Sequence, residues 1–209
     1  MTQELFTEYF KEISREFKTD RATELTYRPY LKNFIEKLFQ NLSLSGENRN
    51  IRKIGKPDYT CFKNKIKIGY IETKDIGINI ENEIKSGQIK KYSEGAIPNI
   101  ILTDYMRFIL IRNQEPILDI TLFDKSDLTK GKSIFSDDIL KKFNQLISTF
   151  LDYELPTIKS PTELAVELSK RTKLLRDLAQ EQLEEDLIKV KNNESVTSIY
   201  DFYGAFKEL

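Results

Sequence analysis

The chain has 209 residues, 39% of them hydrophobic, which is enough to bury a core in one domain with room for an appendage. Its 33 basic and 33 acidic residues cancel, so any contact with nucleic acid must come from a local patch. The absence of histidine excludes serine–histidine triads, zinc hydrolysis and zinc fingers, and leaves carboxylates, lysines and a hard cation such as Mg²⁺ as the tools of an enzyme.

The single cysteine and the charged N-terminus indicate where the chain works. Cys61 cannot form an internal disulfide, which fits a reducing compartment. The first twenty residues are rich in charge, and no apolar run approaches the roughly 20 residues of a membrane span. We therefore expect a cytoplasmic protein without a membrane partner.

The N-terminal third predicts two amphipathic helices and a loop. Apolar residues recur every four positions over Glu4 to Phe17, and at steps of three and four from Glu24, where Pro29 should start or bend the regular part. The polar stretch Asn41 to Lys56 is predicted to be a loop. Its basic residues form either a phosphate-facing patch or a solvated loop: Arg49, Arg52, Lys53 and Lys56.

The middle of the chain predicts a sheet interrupted by a helix. A β-hairpin joined at Lys63-Asn64 is followed by a helix from about Asn82 to Ser93. Together with the three strands predicted after that helix, this order indicates an α/β or α+β fold. The predicted strands are Asp58 to Phe62, Lys65 to Lys74, Asn99 to Thr103, Met106 to Arg112 and Ile117 to Phe123.

The C-terminal part is predicted to be helical. The polar stretch Lys125 to Lys132 precedes a helix over Asp137 to Leu151, and a proline-containing linker leads to a long helix with leucines among many charges. We predict a core domain over residues 1–155 and a helical connector over 156–209.

One strand end combines a carboxylate with an amine. Alternate residues of a strand share a face, so Glu72 and Lys74 continue an apolar row that begins at Ile66. Desolvating these charges is costly unless they pair or bind a metal, which makes this end a candidate site. The hairpin brings Asp58 close to Glu72, and a divalent cation would offset their repulsion, with the main-chain carbonyl of Thr73 as a third ligand.

Such a set suits phosphodiester hydrolysis. A bound metal lowers the pKa of water and polarises the phosphate, while Lys74 can stabilise developing charge or orient the attacking water. If Lys74 is desolvated, its pKa is expected to fall toward a range that is useful for catalysis. The Glu-x-Lys pattern alone is weak evidence for a nuclease, since it recurs at Glu16–Lys18 and Glu83–Lys85. The alternative is that Glu72 and Lys74 form an exposed salt bridge at the end of the strand.

The motifs resemble a known family. Gly55-Lys56-Pro57-Asp58-Tyr59 and the run from Ile68 to Gly77, which contains Glu72-Thr73-Lys74, resemble the PD-(D/E)xK nuclease domain at the N-terminus of single-chain restriction-modification enzymes, the Type ISP group most of all. The likeness extends in order to Ala22–Arg28, Gly87–Tyr92 and Asn99–Tyr105.

The resemblance implies a restriction-endonuclease-like αβββαβ core, a mixed central sheet flanked by helices, with a C-terminal helical extension. It implies that Asp58, Glu72 and Lys74 are catalytic and that Glu24 supports the metal site. Glu24 also shares a helical face with Leu31, which points it inward, although a carboxylate at a helix start has its own electrostatic reason to be there.

A second element of the helix after the hairpin also carries the resemblance. Gln88 and Tyr92, four residues apart, resemble the Gln-x-x-x-Tyr element that some of these nucleases place beside the active site, although a polar pair at the core edge fits the same pattern. Lys90 and Lys91 can meet the DNA backbone.

The expected function is an Mg²⁺-dependent endonuclease domain that acts on double-stranded DNA, with Mn²⁺ able to substitute. In the enzymes that the chain resembles, a helicase-like motor or a methyltransferase and then a target-recognition domain follow the nuclease. Neither a P-loop nor methyltransferase motifs occur here, so the resemblance implies that the partners are the remaining domains of a larger restriction-modification polypeptide. The alternatives are a repair or recombination nuclease with the same core and a non-catalytic DNA-binding or interaction module.

Overall fold

The computed structural model describes residues 2–46, 57–93, 98–153 and 160–207. The first three of these ranges form one compact unit and the last forms a second. No helix within them is both long and apolar enough to cross a membrane. The basic residues Arg49, Arg52, Lys53 and Lys56 lie outside the described residues, so the phosphate patch stays a prediction.

The first unit is an α+β domain built on a six-stranded mixed sheet with strand order β1-β2-β3-β4-β5-β6. Among the strands that the structure describes, only β3 and β4 pair in parallel, and the crossover between them contains α3 and α4. The elements are α1 (Thr2–Phe17), α2 (Glu24–Leu38), β1 (Leu42–Gly46), β2 (Tyr59–Lys63), β3 (Ile66–Thr73), α3 (Ile80–Ile84), α4 (Gly87–Ser93), β4 (Asn99–Thr103), β5 (Arg107–Arg112), β6 (Glu115–Thr121), α5 (Lys125–Lys130) and α6 (Asp137–Leu151).

Aromatic side chains hold the N-terminal helices to the rest of the core. Phe6 of α1 meets Phe34 of α2 edge to face with ring centroids 5.0 Å apart, and it meets Phe143 of α6 at 5.3 Å. Phe143 in turn contacts Phe108 of β5 at 5.0 Å. Burying rings in this geometry adds about 0.5–1.5 kcal/mol per pair beyond the area removed from water, so α2 has a fixed position from which to present side chains to the sheet.

The hairpin of β2 and β3 sets the position of the predicted acids. Its two-residue turn is Asn64-Lys65, one residue later than predicted, and both residues have positive φ, as tight hairpin turns require. Tyr59 pairs with Ile71, which brings the residue before β2 level with the end of β3. The apolar row of β3 begins later than predicted, because Ile66 is 70% exposed.

Three local predictions are wrong. Leu42–Gly46 is a strand rather than a loop, because Leu42 and Leu44 alternate with serines and are buried. The helix predicted from about Asn82 to Ser93 is two helices, and Lys125–Lys130 is a helix rather than a polar spacer. Asp124 caps that helix at its N-terminus and Gly131 ends it with φ of 71°.

Pro29 lies within α2 and does not start it. The helix is continuous from Glu24 to Leu38, with Thr23 as its N-cap. Glu24 therefore occupies the first helical position, and its side chain stands one turn before that of Arg28.

The described part of the second unit contains α7 (Pro161–Lys191) and α8 (Ser198–Lys207). Asp186 accepts hydrogen bonds from the main-chain N–H and the hydroxyl of Thr197, just before α8. The assignment of residues 1–155 as a nuclease domain and 156–209 as a connector stays a prediction.

Candidate functional site

The site lies where β3 ends beside β4. Glu72 and Thr73 are the last residues of β3, and their positions pair with Leu102 and Thr103 of the parallel strand β4. Lys74 follows the strand and donates its main-chain N–H to the Thr103 carbonyl at 2.9 Å. This backbone pairing keeps the end of β3 in place, so the polar side chains there are carried by a rigid element.

Asp58 is held against the end of β3 by Thr73. Its Oδ2 accepts the main-chain N–H of Thr73 at 2.7 Å and lies 2.6 Å from the Thr73 hydroxyl. That hydroxyl is also 3.0 Å from Oε1 of Glu24, so its single proton serves one of the two acids at a time. Three residues from three segments of the chain thus meet at one point.

Arg28 links the same acids from the α2 side. Its Nη2 donates to Glu24 Oε1 and to Asp58 Oδ1, and its Nε donates to the Thr73 hydroxyl at 3.2 Å. The side chains remain partly open to solvent, with 26% of Arg28, 24% of Glu24 and 10% of Asp58 exposed. This group is therefore partly accessible to solvent.

Glu72 belongs to a closed ring of hydrogen bonds with α4. Lys74 Nζ donates to Glu72 Oε1 at 2.9 Å and to Gln88 Oε1 at 3.3 Å. Gln88 Nε2 donates to the Tyr92 hydroxyl at 2.8 Å, and that hydroxyl donates to Glu72 Oε2 at 3.3 Å. The Tyr92 ring stacks on Tyr70, which fixes the direction of its hydroxyl.

The two groups of side chains act on each other electrostatically. Burial, followed by the negative charge of Asp58, raises the pKa of Glu72 to about 7, against the opposing effects of Lys74 and Tyr92. The charge of Glu24 in turn acts on Lys74. The structure therefore places the seven residues predicted to be catalytic or metal-binding in two adjoining groups at the end of β3, with Glu24, Asp58 and Thr73 in one and Glu72, Lys74, Gln88 and Tyr92 in the other.

The expected fall in the pKa of Lys74 is wrong. Burial alone would lower it, but the hydrogen bond and charge of Glu72, with further help from Glu24 and Glu83, hold the pKa of Lys74 above its ordinary value. These interactions favour the ammonium form of Lys74 over the neutral amine. It can donate hydrogen bonds and stabilise negative charge.

The raised pKa of Glu72 predicts a pH effect on the cation-free protein. The unfolded chain releases this proton near the ordinary value of 4.5 and the folded chain near 7. The stabilisation from this group is therefore complete below about 4.5 and is lost as the pH rises through about 7. In the presence of a chelator, we expect the melting temperature of Glu72→Gln to rise relative to that of the wild type as the pH increases from about 4.5 to about 7. A difference that stays constant with pH would contradict the assigned environment.

The oxygen donors fit a hard divalent cation. A carboxylate has about four acceptor positions, and the described contacts occupy three on Asp58 and two on Glu72. Such a set suits Mg²⁺ or Mn²⁺. Within the described ranges, no group of three or more acidic or cysteine side chains is arranged to hold a metal. The site is therefore one of two carboxylates that would need main-chain oxygen or water to complete a coordination sphere.

Sequence analysis missed two residues of the site. Arg28 ends the Ala22–Arg28 segment, and no role was predicted for it, although an arginine one turn after Glu24 is a direct signal for an ion pair. Tyr105 donates its hydroxyl to the Glu24 carbonyl at 2.6 Å and accepts from Tyr9 at its own carbonyl at 2.8 Å. Its φ of 71° is uncommon for a non-glycine residue, and such backbone strain tends to cluster at functional sites.

The predicted phosphate contacts on α4 are described in part. Lys90 is exposed on this helix, as a residue that meets a DNA backbone must be. The Lys91 side chain lies outside the described part of the chain. DNA contact at both residues stays a prediction.

Comparisons with known proteins show a fold that the chain shares with a solved structure, and they do not assign the chain to a family. No protein-family profile matches the chain, and no curated protein matches it. Among solved structures, the chain is similar to the cryo-electron-microscopy structure of a DrdV–DNA complex, with a TM-score of 0.53 and 20% sequence identity. The match covers 74% of this chain and 14% of that chain. This likeness shows a shared fold, and the protein spans about a seventh of the length of the chain it resembles.

Proposed function

We propose that this chain is the endonuclease domain of a restriction-modification enzyme, of the PD-(D/E)xK type found in the Type ISP group, and that it hydrolyses DNA with Mg²⁺ or Mn²⁺. The convergence of Asp58, Glu72 and the Lys74 ammonium at the end of a buried strand carries this proposal. The shared fold with DrdV, whose structure contains DNA, supports it.

The order of elements supports the finer assignment of the fold. The helix α2, the strands β1 to β3, the crossover helices α3 and α4, and the strand β4 follow one another as αβββαβ. In this arrangement β5 and β6 extend the sheet beyond the core. The helices after residue 156 would lead to further domains of a longer polypeptide, which would supply sequence recognition.

The proposed chemistry divides between the cation and the side chains. Asp58, Glu72 and the Thr73 carbonyl would hold the cation, which supplies Lewis acidity to water and phosphate. Lys74 donates hydrogen bonds to the charge that develops as water attacks phosphorus and the P–O bond breaks. Tyr92 and Gln88 orient Glu72 and Lys74, and Glu24 supports the Asp58 side through Thr73 and Arg28. Cutting both strands of a duplex needs two such sites.

A plasmid assay tests the proposal. We expect the chain to convert supercoiled plasmid to the nicked form slowly and with little sequence preference in Mg²⁺ or Mn²⁺, and not in chelator. No conversion with either cation at high protein concentration would contradict nuclease activity.

One observation favours a second candidate, a non-catalytic DNA-binding or interaction module. Each acid already has a cationic partner, Arg28 for Asp58 and Lys74 for Glu72, as in a purely structural ion-pair network. Calorimetric titration separates the two candidates, because a structural network has no reason to bind Mg²⁺.

A further inference from the structure

Arg28 forms an ion pair with Asp58, one of the two acids that are proposed to bind the cation. Its guanidinium bridges Asp58 and Glu24. A positive charge thus lies directly beside Asp58, the acid that is proposed to bind a divalent cation. A guanidinium and a metal ion compete for the same carboxylate oxygens, because both are attracted by the same negative charge.

The two oxygens of Asp58 are not equivalent. Its Oδ2 accepts the main-chain N–H of Thr73 at 2.7 Å and lies 2.6 Å from the Thr73 hydroxyl, so Thr73 lies against this oxygen on two sides. Its Oδ1 accepts only from Arg28 among the described contacts. Because the Thr73 N–H belongs to the end of a paired strand, Oδ2 stays where it is, and Oδ1 is the oxygen that can be transferred to a cation.

Solvent and Glu24 are both available to the Arg28 guanidinium when it leaves Asp58. About a quarter of its side chain is exposed, and Glu24, one turn earlier on the same helix, can keep one of its hydrogen bonds. A guanidinium has five N–H groups in a fork that matches phosphate oxygens. Released from Asp58, this fork would lie at the solvent side of the site, where a DNA phosphate must approach.

We propose that Arg28 is a further functional residue of this site: it is the counter-ion that a divalent cation displaces from Asp58 Oδ1, and its released guanidinium binds the DNA phosphate. This inference rests on the proposed function. It makes cation and DNA binding cooperative, since each favours the arrangement in which Arg28 has left Asp58.

Calorimetric titration with Mn²⁺ tests the first half of the proposal. We expect Arg28→Met to bind Mn²⁺ about tenfold more tightly than the wild type, since one charged hydrogen bond is no longer displaced. Arg15→Met is the matched control, because Arg15 pairs with Glu16 and Tyr30 away from these acids and should leave Mn²⁺ affinity unchanged.

Arg28→Lys separates displacement from a simple effect of charge. Lysine keeps the charge but lacks the planar group through which Nη2 donates to Asp58 and Glu24 while Nε donates to the Thr73 hydroxyl, so nothing holds its ammonium against Asp58 in the same way. We therefore expect this variant also to bind Mn²⁺ a few-fold more tightly than the wild type. If Arg28→Lys matches the wild type, or if Arg28→Met binds Mn²⁺ no more tightly than the wild type, the displacement is overturned. Thermal melts in chelator show whether each variant is folded. If Arg28→Met does not fold, the comparison of Arg28→Lys with the wild type tests the displacement.

Fluorescence anisotropy with a short phosphorothioate duplex, which resists hydrolysis, tests the second half. We expect Mn²⁺ to strengthen DNA binding several-fold more in the wild type than in Arg28→Met, whose site has no guanidinium to release. An equal gain in both proteins would overturn the phosphate role. Failure of the proposed function looks different, because the wild type would then neither bind Mn²⁺ nor nick plasmid, whichever residue stands at position 28.

Discussion

Replacing Asp58 with asparagine is expected to lower the rate of Mg²⁺-dependent plasmid nicking by roughly 10²–10³-fold, the size of effect seen when one preorganised electrostatic group is lost from an active site. Asparagine keeps the size of the side chain, and its carbonyl can still accept from the Thr73 N–H. It lacks the negative charge that a divalent cation and Arg28 both require. The measurement is the rate of conversion of supercoiled to nicked plasmid at saturating Mg²⁺.

A matched aspartate controls for nonspecific effects. Asp119 on β6 also pairs with an arginine, Arg107, through two hydrogen bonds of 2.5 and 2.9 Å, but its side chain is 41% exposed and takes no part in the site. Exposed pairs contribute at most about 1 kcal/mol, so Asp119→Asn should nick at the wild-type rate. Equal rates for Asp58→Asn and the wild type would remove Asp58 from the mechanism.

Gly69→Ala is expected to destabilise the fold by about 3 kcal/mol, at the upper end for overpacking a core. A β-carbon at this position would lie 2.2 Å from the Asn99 carbonyl oxygen and 2.8 Å from the Phe150 ring. The Asn99 backbone belongs to β4, and its side chain donates to the Ile68 and Phe150 carbonyls at 3.0 and 2.9 Å, so neither neighbour can move cheaply. Circular dichroism should show a melting temperature lower by roughly 6–12 °C.

Gly87→Ala provides the contrast for this prediction. A β-carbon there meets nothing within 4 Å, and the residue begins α4. Alanine loses less backbone entropy than glycine in a helix, so its effect should be neutral or stabilising by up to about 1 kcal/mol. Equal melting temperatures for Gly69→Ala and Gly87→Ala would contradict the close approach of β3 to β4 at Gly69.

The strands beside the site were predictable because their residues are strongly apolar. Asn99–Thr103 was predicted with the bounds that the structure has, and α6 likewise over Asp137–Leu151. Strand β1 was missed because its serines and glycine resemble a loop, although Leu42 and Leu44 alternate with them. The helix α5 was missed for the same reason, since its polar residues hide the capping signals of Asp124 and Gly131.

The candidate site was predictable where its residues lie on one strand or one helix. Glu72 and Lys74 share a strand face, and Gln88 and Tyr92 share a helix face, so spacing alone pairs them. The contacts of Arg28 with Asp58 and of Tyr105 with Glu24 join segments 30 and 81 residues apart, which no local pattern encodes. The pKa of Lys74 was predicted in the wrong direction, because burial was weighed without the adjoining carboxylate.

The most direct measurement of the central claim is anomalous scattering from crystals of the chain soaked in Mn²⁺. If Asp58 and Glu72 share a cation, a manganese peak lies within about 2.5 Å of an oxygen from each, and the Arg28 guanidinium has left Asp58. If the crystals bind manganese elsewhere or not at all, while Arg28 and Lys74 still neutralise the two acids, these carboxylates are a structural network and the hydrolytic proposal is wrong.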